Sequence, residues 1–310
     1  MTPTLVLGCP GDPTSLLLFL GVIGLVGLAC VGVVVMWTVA LLRFLGRSLG
    51  ALLRTRRVRR LGRLRAEVTR GPTSNWAAGE KPSGSGLDEK TRAALEALWL
   101  DDARREHREV ASVARLSMLL TAAGAPVGLV LEMQRAAAAK VAHAQTLFAV
   151  AAGYGRRAHG VEPQPRWVRA RKMDLVGELA TELLFASLHA GFRADEARAA
   201  ARDCEEPVAR DALERMAFDE HARSELSWDA LRWLRQRDAR RTQRALRGAR
   251  WSLMRAQRPR HSRLALVLEA KASIPALRSA GRLSDPKRAA LWSERVRSTV
   301  VRAGKGAVKA

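Results

Sequence analysis

The stretch LDEKTRAALEALWLDDARREHREVASVARLSMLLTAAGAP, residues 87–126, decides the fold class. Leu95, Leu98, Trp99, Ala103, Val110, Val113, Leu116 and Leu120 recur mainly at spacings of three, four and seven, the period of one face of an α-helix. Asp88 and Glu89 suit the positive end of a helix dipole, so a helix is expected over Leu87–Thr121. The turn Ala122–Pro126 ends it, and Pro126 is placed to start the next.

Working outward toward the C-terminus, Val127–Ala152 reads as a second helix stopped by Gly153-Tyr154-Gly155. The short turn makes these two helices antiparallel neighbours. Residues 156–171 form a longer connection with Pro and Arg, Lys172–Arg202 reads as a third helix, and Pro207 opens a fourth that runs to about Arg240. The expected class is all-α, with residues 87–240 as a four-helix bundle whose second and third helices are joined by a long crossover. Any other four-helix bundle satisfies the same periodicity.

Composition narrows the alternatives. One Tyr, six Phe and 12 Pro in 310 residues do not suit a β-sandwich or an aromatic-rich binder. Cys9, Cys30 and Cys204 lie too far apart for a Cys-based zinc module and cannot make a disulfide framework. The net charge of +23 is unevenly spread. Residues 1–42 carry only Asp12; residues 43–70 carry ten Arg and one Glu; residues 87–235 hold 22 basic and 23 acidic side chains; residues 236–310 hold 20 basic and four acidic.

Working outward toward the N-terminus, residues 71–86 (GPTSNWAAGEKPSGSG) have the composition of a flexible linker. Ahead of them, Leu16–Leu42 is an uncharged run of Leu, Val, Gly, Ile and Ala, longer than the roughly 20 residues that cross a hydrocarbon core. A single transmembrane helix at 16–42 is expected, after a short external segment 1–15. Arg43, Arg47, Arg54, Arg56, Arg57, Arg59 and Arg60 follow it directly. The positive-inside rule then places the N-terminus outside and the rest on the cytoplasmic side, in a bacterial inner membrane. Leu52, Leu53, Val58, Leu61 and Leu64 interleave with these arginines, so segment 43–70 reads equally as a helix on anionic lipid head groups or as a topology signal alone.

Three strings carry a resemblance. The first helix contains Glu106-His107-Arg-Glu-Val-Ala-Ser-Val-Ala; the second contains Lys140-Val-Ala-His143; the fourth contains Asp219-Glu220-His-Ala-Arg223. Over residues 95–235 the chain resembles the bacterial ferritin-like domain proteins of the dimetal-carboxylate superfamily. That resemblance implies a ferritin-like bundle with a site built from one Glu on each of helices one and three and a Glu-x-x-His pair on each of the other two. Transferred position by position, Glu106, His143 and Glu220 match, whereas Lys140 stands at a Glu position and Arg223 at a His position. The helix-three position falls at His189, or at Glu178 or Glu182 if the chain carries an insertion before Pro207.

These departures weigh against the metal. Two divalent ions bring four positive charges, and Lys140 and Arg223 cancel Glu106 and Glu220; Arg has no lone pair to donate. No cofactor is therefore expected, with iron or manganese on Glu106, His143, His189 and Glu220 as the alternative. His107 and His221, one position from a motif Glu, are expected to face away from the bundle axis, since one helical step turns by about 100°. His159 falls in a loop and His261 in a basic tail, residues 241–310, which reads as solvated, as a binder of anionic lipid, or, with less support, of nucleic acid. No Walker loop, GxSxG or GxGxxG is present. The expected role is structural, scaffolding or regulatory, with a dimetal oxidase or metal-handling protein as the rival.

Overall fold

The computed structural model describes residues 76–157, 159, 161 and 174–305. The readings placed on residues 1–75, including the span at 16–42 and Arg43–Arg60, lie outside the described residues. Among the described residues the chain is all-helical, with eight helices and no strand. They are α1 (Glu89–Ala122), α2 (Val127–Gly155), α3 (Leu175–Arg202), α4 (Pro207–Arg237), α5 (Ala239–Met254), α6 (Arg263–Glu269), α7 (Ile274–Ser279) and α8 (Asp285–Lys305).

Local chemistry explains most boundaries. The Asp88 carboxylate accepts from the backbone N–H groups of Lys90 and Thr91 and caps α1. Pro207 opens α4, and Asp238 ends it while its side chain accepts from the N–H of Arg241 at the start of α5. Helix α2 runs three residues further than the sequence suggests. Gly153 and Gly155 do not break it; they let it pass close to other chain, since a Cβ on Gly153 would sit 2.7 Å from the Pro82 carbonyl. Residues 76–86, expected as linker, are mostly exposed, but Pro82 and Gly84 are buried and the Trp76 ring meets His107 edge-on at 4.5 Å.

The four long helices share two apolar clusters. The first gathers Leu95, Leu98 and Trp99 of α1, Leu147 and Phe148 of α2, Ala197 and Ala200 of α3, and Leu213 and Met216 of α4. The second gathers Val113 and Leu120 of α1, Met133 of α2, Leu179 to Phe192 of α3, and Leu231 and Leu234 of α4. Each helix crosses from one cluster to the other, which fixes its direction. Helices α1 and α4 run from the first to the second; α2 and α3 run back. Helix α2 therefore finishes at the end opposite to where α3 begins.

Helix α3 is long and apolar enough to cross a membrane by length and composition. Its Leu179, Leu183, Leu184, Leu188 and Phe192 are all fully buried among the other helices, as in the centre of a packed unit.

The basic C-terminal segment corrects an expectation most clearly. Residues 241–305 are not a solvated tail. Helix α5 lies on α3 and α4, α6 on α1, and α8 on α3 and α5. Trp292 is only 6% exposed, meets Phe192 edge-on at 5.1 Å and donates its indole N–H to the Ala256 carbonyl at 3.3 Å. Ser273 caps α7, its side-chain oxygen accepting from the N–H of Ala276. Burial on this scale makes Trp292→Ala costly, by about 3–5 kcal/mol. Trp251→Ala, at a ring 64% exposed, is expected to stay within about 0.5 kcal/mol of the parent. Urea denaturation followed by helical circular dichroism checks both, and equal small losses would return the segment to a loose tail.

A buried ion-pair belt as the candidate functional site

Between the two apolar clusters every long helix contributes charge at the same level. The segments are Asp102–Glu109 of α1, Lys140–His143 of α2, Arg193–Glu196 of α3 and Asp219–Arg223 of α4. Glu106 is fully buried, and Lys140 and Glu220 are each 1% exposed. The Lys140 Nζ stands 2.5 Å from Glu106 Oε2 and 2.7 Å from Glu109 Oε2, and also pairs with Glu220 Oε1. Arg223 Nη2 lies 2.5 Å from Glu220 Oε2 and 3.0 Å from Glu109 Oε2. Arg193 grips the other Glu106 oxygen through Nε and Nη2, at 3.2 and 3.0 Å.

The belt continues toward the C-terminal segment. Arg193 also reaches Glu196 at 2.6 Å and Asp102 at 3.7 Å. Asp102 accepts further from Arg105 and Arg282, each at 2.9 Å, and Glu196 is paired with Arg288. Lys140, Arg193, Arg223, Arg105, Arg282 and Arg288 thus interleave with Glu106, Glu109, Glu220, Asp102 and Glu196 in one connected set. Charge is near balance, as burial of this depth demands.

Proton affinities follow from the pairing. Burial alone would raise the carboxyls, but the arginines and Lys140 outweigh it. Asp102 is held well below its ordinary range by Arg282, Arg193 and Arg105. Glu196 is brought down to about 2 by Arg193 and Arg288, and Glu109 and Glu220 are also lowered. For Lys140, burial pushes the ammonium down, while Glu106, Glu109 and Glu220 more than offset it and hold it above its usual value. Lys140 is a charged ammonium in this setting.

Of the residues singled out in the sequence, Glu106, Lys140, His143, Glu220 and Arg223 meet here. His143 donates through Nε2–H to Asp219 Oδ2 at 2.8 Å, and its buried Nδ1 lies 4.0 Å from Glu106 Oε2 with no hydrogen bond among the described residues. The helix-three position is corrected. His189 stacks on Phe185 and lies 5.6 Å from the Trp292 ring, and Glu178 and Glu182 both pair with Arg115. The α3 side chain that does reach Glu106 is Arg193, one turn beyond His189. His107 is buried, with its ring edge-on against Trp76. His221 is exposed. His159 is buried 3.1 Å from Glu96, and His261 is buried against Arg282.

Sequence reasoning missed Glu109, Arg193, Asp102, Glu196, Arg282 and Arg288. Glu109 and Asp102 had a signal, since they sit about one turn from Glu106 on its own helix. Arg282 and Arg288 had none, because nothing in a basic stretch tells which cation will be buried.

The donor set does not fit a dimetal centre. The three carboxylates that converge on Lys140 already hold a cation at their focus, and Arg193 and Arg223 occupy oxygens that metals would need without offering a lone pair. A smaller set remains: the ligand atoms of Glu106, His143 and Glu220 lie within 4.8 Å of one another.

The belt sets a pH dependence. Asp102, Glu109, Glu196 and Glu220 are depressed in the fold, so below about pH 4.3 the unfolded chain takes up protons that the folded chain refuses, and stability is lost as pH falls. His261, mainly through burial, sits well below the usual histidine value, and His189 and His107 are lowered too. Their contribution is present at neutral pH and declines from about pH 6.5 downward. Denaturant titrations from pH 8 to 3 are expected to show both declines, with His261→Gln flattening the first and leaving the second. A rise in stability between pH 6.5 and 5 would contradict the burial of these histidines.

Comparison with known proteins adds no relative: no protein-family model, no curated protein and no solved structure matches this chain.

Proposed function

We propose that residues 87–240 are a degenerate ferritin-like bundle in which fixed side-chain cations have replaced the metals, and that the protein is a structural, scaffolding or regulatory element and not a catalyst. The observation that carries this reading is the Lys140 ammonium, buried at the meeting point of Glu106, Glu109 and Glu220. The direction of the four long helices supports the bundle assignment, because an up-down-down-up order needs the long second crossover of that architecture. In this reading the uncharged run at 16–42 anchors the chain in a bacterial inner membrane with its N-terminus outside and the bundle cytoplasmic.

A second reading, a dimetal-type oxidase or metal-handling protein with substituted ligands, keeps one supporting observation. With its Nε2–H donated to Asp219, His143 presents an Nδ1 lone pair toward Glu106, an arrangement in which a carboxylate orients a ligating histidine. For a metal to use Glu106, His143 and Glu220, the Lys140 ammonium would have to leave or lose its proton, against three carboxylates that stabilise it.

Metal analysis of protein purified without chelators separates the two. The proposal expects far less than one iron or manganese per chain and a melting temperature unchanged by either ion. Near-stoichiometric metal, or a rise in melting temperature of several degrees on adding manganese, would favour the metal-handling protein.

A further inference from the structure

Helix α5 divides cleanly into two faces. Thr242, Leu246, Ala249 and Leu253 are buried against the rest of the unit. At about 100° per residue, Arg240, Arg244, Arg247, Trp251 and Met254 fall on one stripe on the opposite side. All five are exposed, Trp251 by 64% and Met254 by 53%. The helix contains no acidic residue. Arg241, beside this stripe, has Asp174 and Asp238 as neighbours, while no ion pair holds Arg240, Arg244 or Arg247 among the described residues. Arg255 follows directly, exposed, with its guanidinium 5.6 Å from the Trp251 ring centre.

Several other C-terminal arginines have acidic partners. Arg282 and Arg288 neutralise Asp102 and Glu196, Arg295 is held at 2.5 Å by Asp195, and Arg302 makes two bonds of 2.7 Å to Glu225. Neither the fold nor its ion pairs account for the cations of the α5 stripe. A row of arginines in line with an exposed Trp and Met has the chemistry of a helix that lies on a bilayer. Guanidinium groups meet lipid phosphates, the indole sits at head-group level, and the thioether enters the acyl boundary. Nucleic acid would match the charge, but it gives the Met no place to be buried.

We propose that the outward stripe of α5, with Arg240, Arg244, Arg247, Trp251, Met254 and Arg255, docks on the surface of an anionic phospholipid bilayer. This deepens the membrane-anchored reading, and it names a second contact with the bilayer that does not depend on the span. Docking turns the exposed stripe of α5 toward the lipid.

The test uses the full chain with Cys9, Cys30 and Cys204 replaced by Ala and Met254→Cys carrying a bimane label, in vesicles of phosphatidylcholine alone or mixed with phosphatidylglycerol. Brominated lipids in each vesicle quench a label that enters the bilayer. Several-fold stronger quenching is expected in the anionic vesicles, lost at about 1 M salt and lost in Arg240→Glu/Arg244→Glu/Arg247→Glu. A reference label at Phe218→Cys, on the exposed surface of α4, should stay unquenched in both and shows that entry is confined to the α5 stripe; helical circular dichroism of each labelled chain reports that the unit is folded. Equal quenching in both vesicles, or none in either, would overturn the proposal. A label that responds to duplex DNA, or to protein density in neutral vesicles, would reassign the stripe to nucleic acid or to a second copy. Flotation with neutral vesicles reads the anchor separately, so loss of the anchor and loss of docking give different results.

Discussion

Glu106 is a carboxylate with no access to water, and the arrangement of the four long helices depends on how it is neutralised. Leaving it unpaired would cost several kcal/mol or force it to take up a proton. Two helices answer: Lys140 from α2 takes one oxygen and Arg193 from α3 the other. Each of these cations then needs more carboxylate than Glu106 can give, which draws in Glu109, Glu220, Glu196 and Asp102. The belt grows outward by charge balance until its edges reach half-exposed groups. Sliding any helix by one turn would leave buried charges without partners, so the belt fixes register between two apolar clusters that alone would tolerate slippage. Its contribution is to specificity more than to net stability, since a well-packed apolar layer could hold the helices as firmly.

The same requirement explains the C-terminal segment. The four long helices do not carry enough cation on their own to satisfy Asp102 and Glu196, and Arg282 and Arg288 complete them from more than 80 residues away in sequence. The excess positive charge of residues 236–310 is thus divided: some guanidinium groups are structural and face the belt, whereas the α5 stripe faces out and remains available. Two stretches of similar composition serve different ends because the acidic partners lie on only one side of them.

Much of the helical framework was legible in the sequence because helix periodicity is a local property. Leu95 to Leu120, Pro207 and the Ala122–Pro126 turn each announce their element within a few residues. That Lys140 and Arg223 offset the charge of Glu106 and Glu220 was legible too, since residues at equivalent positions of facing helices have to meet. What failed were judgements that depend on distant chain. His189 and Arg193 lie one turn apart on α3, and only packing against α1 and α8 decides which of them reaches Glu106. Gly153 and Gly155 read as a helix stop, yet they permit close approach of residues 82 and 96. The solvated reading of the tail, one of three, rested on its polar composition, and composition does not register the acids waiting for it in α1 and α3.

The most direct test of the account is a denaturation cycle at Lys140. Lys140→Met keeps most of the side-chain volume and leaves three carboxylates without their shared cation, and it is expected to cost about 3–5 kcal/mol. Lys140→Met combined with Glu220→Gln removes one of the stranded charges and should cost clearly less than Lys140→Met alone. A loss below about 1 kcal/mol for the single change, or a double change that costs the sum of its parts, would mean that Lys140 is not the cation on which the belt is built.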